Sequence, residues 1–200
     1  MTRTPWPAGL AFLLACSPNF EPVDPPDQPG AFAVSYERFT AVDATRDSRA
    51  LPVEVWYPVD PADAEGRALV KYPLAPLIDL ESSLAVDGAP VSARSDQPLI
   101  VFSHGYGGIS NQSIDLMETL ASHGFIVASP EHTGNAQNSF TDDYDTAAAN
   151  RVPDISFLID TFFKRTQDPE DLFSGRIRTR DVGVVGHSFG GMTTVGMAAG

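Results

Sequence analysis

Apolar and polar positions change period several times along the chain. Phe32 to Val42 alternates loosely and ends in polar residues, which predicts a first strand. Leu51-Pro52-Val53-Glu54-Val55-Trp56-Tyr57-Pro58 is rich in β-branched and aromatic residues and stops at proline, which predicts a second. Asp60 to Gln97 holds no sustained period and is punctuated by Pro, Gly, Ala and Ser, so it is read as a long, partly structured connection. Pro98-Leu99-Ile100-Val101-Phe102-Ser103 is continuously apolar and halts at His104-Gly105, as expected for a strand buried on both faces of a parallel sheet. Ser113 to His123 places Ile114, Leu116, Met117, Leu120 and Ala121 at helical spacing, with Gly124 just past the end. Phe125-Ile126-Val127-Ala128 predicts another buried strand, closed by Pro130. Gly134 to Ala149 is polar and acidic and is read as a loop or lid. Pro153 is placed early in a helix whose apolar face is Ile155, Leu158, Ile159, Phe162 and Phe163. Asp181 to Gly186 predicts the last strand, and Gly190 to Ala199 a small-residue helix behind it. This order implies an α/β sheet in which antiparallel strands lead a parallel β-α-β core.

The first thirty residues read as address and tether. Met1-Thr2-Arg3 is a short basic start, and Trp6 to Ala15 is an apolar run suited to a signal peptide. It ends in Leu13-Leu14-Ala15-Cys16, and Cys16 is the single cysteine of the 200 residues. That ending resembles a bacterial lipobox, which implies a signal peptide over residues 1–15, a lipid on the Cys16 thiol, and an exported protein anchored at a membrane. A plain signal peptide with a chance cysteine is the competing reading. Residues 16–30 carry five prolines and three acidic residues, a composition that forms an extended spacer. Residues 31–200 are then one α/β domain.

Charge narrows the partners. Thirteen Lys and Arg against 26 Asp and Glu give −13, which disfavours nucleic acid, because phosphate binding needs clustered cations. One cysteine excludes an internal disulfide and a cysteine-based zinc cluster.

The chemistry-bearing residues fall at predicted strand ends. Gly186-His187-Ser188-Phe189-Gly190-Gly191 follows a strand and opens a helix, the setting of a G-x-S-x-G nucleophile elbow. Ser188 is the candidate nucleophile, and Gly186 and Gly190 remove the Cβ atoms that a turn this sharp cannot hold. His104-Gly105-Tyr106-Gly107-Gly108 follows the apolar strand where this type of sheet places a second oxyanion donor. The candidate donors are the backbone amides of Tyr106 and Phe189.

The elbow resembles the platelet-activating-factor acetylhydrolase family of α/β-hydrolases. So do Val101 to Gly108, Val53 to Pro58, Leu120-Ala121-Ser122-His123-Gly124-Phe125 and Pro130-Glu131-His132. The bacterial branch often labelled as predicted dienelactone hydrolases is the nearest likeness. The resemblance covers Phe32 to Gly200. It implies a serine carboxylesterase or lipase-like enzyme that needs no metal or cofactor and acts on a small-molecule or lipid ester. Dienelactone hydrolases proper use a cysteine, so the serine marks fold kinship rather than substrate. Cutinase-like polyesterases share much of the pattern. A non-catalytic lipoprotein or pseudo-enzyme, and an acyltransferase on the same scaffold, are the readings from other classes.

The triad partners are the gap. The fold orders its triad Ser, Asp, His along the chain, and Gly200 comes twelve residues after Ser188. The sequence is therefore read as the N-terminal part of an α/β-hydrolase, with the Asp and His expected beyond residue 200. Of the upstream histidines, His104 is expected to brace the oxyanion turn, His123 to end a helix and His187 to point away from Ser188. His132, at a strand's C-terminal end, is the one substitute base. Asp142, Asp143 and Asp145 are read as solvated loop charges.

Overall fold

The structure is a computed structural model and describes residues 28–75 and 78–199. The predicted signal peptide, Cys16 and the tether as far as residue 27 lie outside the described residues. Residues 28–30 sit against the C-terminal end of the first long helix. There the Gly30 amide donates to Ser122 Oγ at 2.8 Å, and a Cβ on Gly30 would stand 2.4 Å from the Ser122 carbonyl oxygen.

Nine strands and four helices follow among the described residues: β1 Ala33–Asp43, β2 Arg49–Val59, α1 Pro61–Ala64, β3 Leu69–Ala75, β4 Ile78–Asp87, β5 Gln97–Ser103, α2 Ile114–Ser122, β6 Ile126–Pro130, β7 Asn135–Ala136, β8 Ser139–Phe140, α3 Tyr144–Arg165, β9 Ile177–Gly186 and α4 Phe189–Ala199. Seven of the strands make one sheet in the order β3-β4-β1-β2-β6-β5-β9. β1 and β2 are antiparallel, β2 meets β6 antiparallel, and β6, β5 and β9 run parallel. This is the N-terminal part of an α/β-hydrolase fold, with antiparallel strands leading into the parallel core.

The continuous apolar strands have two buried faces. Leu99 and Val101 of β5 face one way and join Val53, Val55, Ile126 and Ala128 beneath Ile155, Leu158 and Phe162 of α3. Ile100 and Phe102 face the other way and join Trp56 and Val127 beneath Ile114, Met117 and Ala121 of α2. Period 2 along the strand thus feeds two separate cores. From β5 the chain passes through α2 to β6 on one side. It then returns through α3 to β9 on the other side. Strand order reverses at β5, and in open α/β sheets ligands bind beyond the C-terminal ends of strands at such a point.

The sequence expectations are refined in three places. The stretch from Asp60 to Gln97, read as a partly structured connection, contains α1 and the antiparallel pair β3 and β4. Register shifts interrupt that pair, and Ile78 and Leu80 are exposed, so the strand period is hidden in the sequence. Trp56 reaches the pair through its indole, which donates to Tyr72 Oη at 2.8 Å, and Tyr72 in turn donates to Glu118 Oε1 of α2 at 2.8 Å.

The acidic stretch after Gly134 is not wholly loop. It holds the short β7 and β8 pair and then the first turns of α3. Asp143 is the N-cap, accepting from the Thr146 amide at 2.8 Å. Asp145 in the first turn and Lys164 and Arg165 in the last complement the helix dipole. Pro153 is therefore interior, at the tenth of 22 positions, on the exposed side where its ring meets solvent rather than core.

Candidate active site

Two turns leave the sheet side by side. β5 and β9 pair in register at Ser103 and Gly186, so His104-Gly105-Tyr106 and His187-Ser188-Phe189 leave neighbouring parallel strands at one level. The His187 amide donates to the Ser103 carbonyl at 3.1 Å, tying the second turn to the first strand. Ser188 has φ 53°, a left-handed conformation that non-glycine residues adopt only under constraint. The constraint is packing. A Cβ on Gly190 would lie 1.8 Å from the Ser103 carbonyl oxygen, and one on Gly186 would lie 2.2 Å from the Gly190 backbone. With both glycines bare, the turn closes tightly and Ser188 stands exposed at the start of α4.

The β5 turn lies against Ser188. A Cβ placed on Gly105 would be 3.7 Å from Ser188 Cβ. The Gly105 amide is occupied, donating to Gln112 Oε1 at 2.9 Å. Among the described residues the amides of Tyr106 and Phe189 have no hydrogen-bond partner. Phe189 opens α4, where the first amides have no intrahelical acceptor. Exposed Ser188 is thus flanked by two unspent donors and the positive end of a helix dipole, an arrangement able to hold negative charge on a tetrahedral oxygen.

Below the turns lies a polar layer that sequence reading did not foresee. Ser103, His104, His132, Asn135, Arg151 and Asp154 are all buried. Asp154 accepts from His132 Nδ1 at 2.9 Å, from Arg46 Nη1 at 2.7 Å, and from Arg49 Nε and Nη2 at 2.8 and 2.9 Å. Burial works to raise the Asp154 pKa. The bonds and charges of His132 and Arg49 outweigh it and hold the carboxyl well below the usual carboxylate range. Burial holds His132 below the usual imidazole range, against the pull of Asp154. Neutral His132 therefore carries its proton on Nδ1, facing the carboxylate, and its Nε2 accepts from Ser103 Oγ at 2.9 Å.

Ser103, His132 and Asp154 thus repeat the bonding order of a catalytic triad. They are not one, because Ser103 and Asp154 are fully enclosed and His132 is 1% exposed, so no substrate reaches the hydroxyl. This corrects the idea of His132 as a substitute base for Ser188, since both of its ring nitrogens are already committed. Among the described residues no hydrogen bond joins Ser188 Oγ to any histidine. His123 is the C-cap of α2, with Nε2 3.0 Å from the Gln28 carbonyl oxygen.

His104 braces the first turn. Its Nε2 accepts from the His132 amide at 3.1 Å, so Nδ1 bears the proton and donates to the Gly105 carbonyl at 2.7 Å. Both nitrogens are used in the neutral form, and burial together with the charges of its neighbours pushes its pKa down to about 3.

An aromatic cluster lies beside the two turns. The Tyr106 ring meets Phe140 at 5.4 Å and Phe189 at 5.3 Å, both near perpendicular, and Tyr144 lies 5.2 Å from Phe189. Tyr106, Phe140 and Tyr144 are about half exposed, whereas Phe189 is buried. Phe140 and Tyr144 come from the segment read as an acidic loop, where nothing in sequence distinguished them from surface residues.

Comparison with known proteins bears on this arrangement. Residues 79–167 match the family model of platelet-activating factor acetylhydrolase, isoform II. Among solved structures, a ferulic acid esterase from Streptomyces cinnamoneus superposes with a TM-score of 0.66 at 28% identity. The match covers 84% of this chain and 56% of that one. The chain has the α/β-hydrolase fold. The likeness to the platelet-activating factor acetylhydrolases, expected over Phe32 to Gly200, is matched from β4 to just past α3, a stretch that holds Val101 to Gly108, Leu120 to Phe125 and Pro130-Glu131-His132 but neither the elbow nor Val53 to Pro58. The search of curated proteins finds no match. The chain spans little more than half the length of the solved esterase it resembles.

Proposed function

We propose that the protein is a serine carboxylic-ester hydrolase that works through an acyl-enzyme on Ser188. The observation that carries this is the exposed Ser188 at φ 53°, beside the amides of Tyr106 and Phe189, which are unpaired among the described residues. In the proposed reaction a histidine takes the Ser188 Oγ proton as Oγ bonds to the ester carbonyl carbon. The two amides hold the resulting oxyanion. The carbon–alkoxy bond breaks, the leaving alcohol takes the proton, and water then releases the acid by the same steps. In this fold the base and its carboxylate partner follow the nucleophile along the chain.

The half-exposed rim of Tyr106, Phe140 and Tyr144 suits esters with an apolar or flat acyl part. The solved relative named as a ferulic acid esterase supports the same direction. A lipid ester and a polyester remain the competing substrate classes within this chemistry. We also propose export and lipid anchoring through Cys16, on the strength of Leu13-Leu14-Ala15-Cys16 and the proline-rich spacer behind it.

The test is hydrolysis of p-nitrophenyl acetate and butyrate by the full-length protein and its Ser188→Ala variant. Turnover that falls to the background rate in the variant is expected. Turnover unchanged in the variant would overturn the assignment, and none in either protein would favour a non-catalytic lipoprotein.

A further inference from the structure

Arg151 is a buried cation with an unusual set of partners. It is 2% exposed, yet among the described residues its guanidinium bonds no carboxylate. Instead Nη1 donates to the His104 carbonyl and to Ser103 Oγ at 3.2 Å. Nη2 donates to the Gly105 carbonyl at 3.0 Å and to Asn135 Oδ1. Its Cζ lies over the Phe189 ring, 4.9 Å from the centroid. Burying a guanidinium is costly unless its donors are well used, and here most of them are spent on the oxyanion turn and its supports.

We propose that Arg151 is a positioning residue that aligns both oxyanion donors toward the carbonyl of the substrate. The inference rests on the ester-hydrolase reading above and extends it to a residue that touches no substrate.

Peptide geometry supplies the reason. In a trans peptide the C=O and the following N–H point in opposite directions. Holding the Gly105 carbonyl down toward Arg151 turns the Tyr106 N–H up, away from the buried layer. Holding the His104 carbonyl down likewise fixes the Gly105 N–H, which Gln112 accepts on the other side. A cation on the Gly105 carbonyl also polarises that peptide and strengthens the Tyr106 N–H as a donor. The stacking on Phe189 sets the residue that supplies the second amide. One side chain thus spans both halves of the oxyanion hole.

Arg151 is itself held by a relay. Asp154 fixes His132, His132 fixes Ser103, and Ser103 Oγ accepts from Arg151. The buried Ser103-His132-Asp154 set therefore has a use, as an anchor for the arginine rather than a second catalytic triad.

The experiment uses the ¹⁵N-labelled full-length protein with Arg151→Met and Arg151→Lys. Phe162→Ala, a destabilised core control remote from the turns, accompanies them. Two readouts are taken: kcat and KM on p-nitrophenyl butyrate, and the backbone amide resonances of Tyr106 and Phe189. For Arg151→Met we expect kcat to fall about 10- to 100-fold with KM within about twofold, because a small misplacement of a transition-state donor costs that order. Both amide resonances should shift. Arg151→Lys should recover part of the rate, and Phe162→Ala should keep kcat near wild type at temperatures where it is folded. If Arg151→Met fails to fold, Arg151→Lys decides, since it should still lower kcat and move the Tyr106 resonance. A kcat within twofold of wild type in a folded Arg151 variant overturns the proposal, as does an unmoved Tyr106 resonance or an equal loss in Phe162→Ala. If wild type hydrolyses no ester, the enzyme reading fails instead, and the amide resonances alone then judge whether Arg151 sets the turn.

Discussion

At the residue scale the elbow is decided by missing atoms. Gly190→Ala would drive a methyl to 1.8 Å from the Ser103 carbonyl oxygen, a contact with rigid backbone that no rotamer relieves. Overpacking of this kind costs about 3 kcal/mol or more, so urea denaturation should show a large loss of stability. Gly191, next along, meets nothing closer than 3.7 Å and lies within α4. Gly191→Ala should be neutral or stabilising, by up to about 1 kcal/mol. Equal losses from both variants would refute the tight-turn account.

The buried histidines set a pH response at the same scale. His104 and His132 both have folded pKa values below the unfolded value near 6.5. Below pH ~6.5 the unfolded chain takes up protons that the folded one refuses. Their contribution is therefore full above that pH and is lost as pH falls toward the folded values. Each histidine contributes a slope of up to about 1.4 kcal/mol per pH unit in that window. Urea midpoints should fall steadily from pH 6.5 to pH 4.5, and a midpoint flat across that range would contradict neutral, bonded imidazoles.

Among elements, α3 carries more of the site than its sequence suggested. Its apolar face was legible, since Ile155, Leu158 and Phe162 recur at helical spacing and all three are buried. Its first turns were not, because Asp142, Asp143 and Asp145 look alike in sequence. Only the geometry shows Asp143 as a cap. Arg151 was missed for the same kind of reason. Its partners at Ser103, His104 and Gly105 lie more than forty residues away, on another element. The β3 and β4 pair escaped notice because register shifts and an exposed face erase its period. The two glycine-rich turns at Ser188 and Tyr106, by contrast, were legible, because each combines an apolar strand with a glycine-dense stop, a signal local in sequence. Phe162 packs edge-on against Phe39 at 6.1 Å and near Phe173 at 5.7 Å. Phe162→Ala should cost about 3–5 kcal/mol by chemical denaturation. A loss under ~1 kcal/mol would show that α3 is not seated on the sheet as described.

For the whole molecule, the reversal of strand order at β5 places everything of chemical interest at one end of the sheet. The antiparallel leading strands build the core on which the parallel strands rest, and the two cores fix β5 from both sides. The −13 charge of the full sequence would keep the domain away from anionic lipid, in line with the anchoring proposed at Cys16. The claim on which the account turns is that Ser188 is an activated nucleophile. The most direct measurement treats the full-length protein with a fluorophosphonate and maps the adduct by peptide mass spectrometry. The account predicts one adduct, on Ser188, absent in Ser188→Ala. No adduct, or an adduct on another serine that persists in Ser188→Ala, would contradict it.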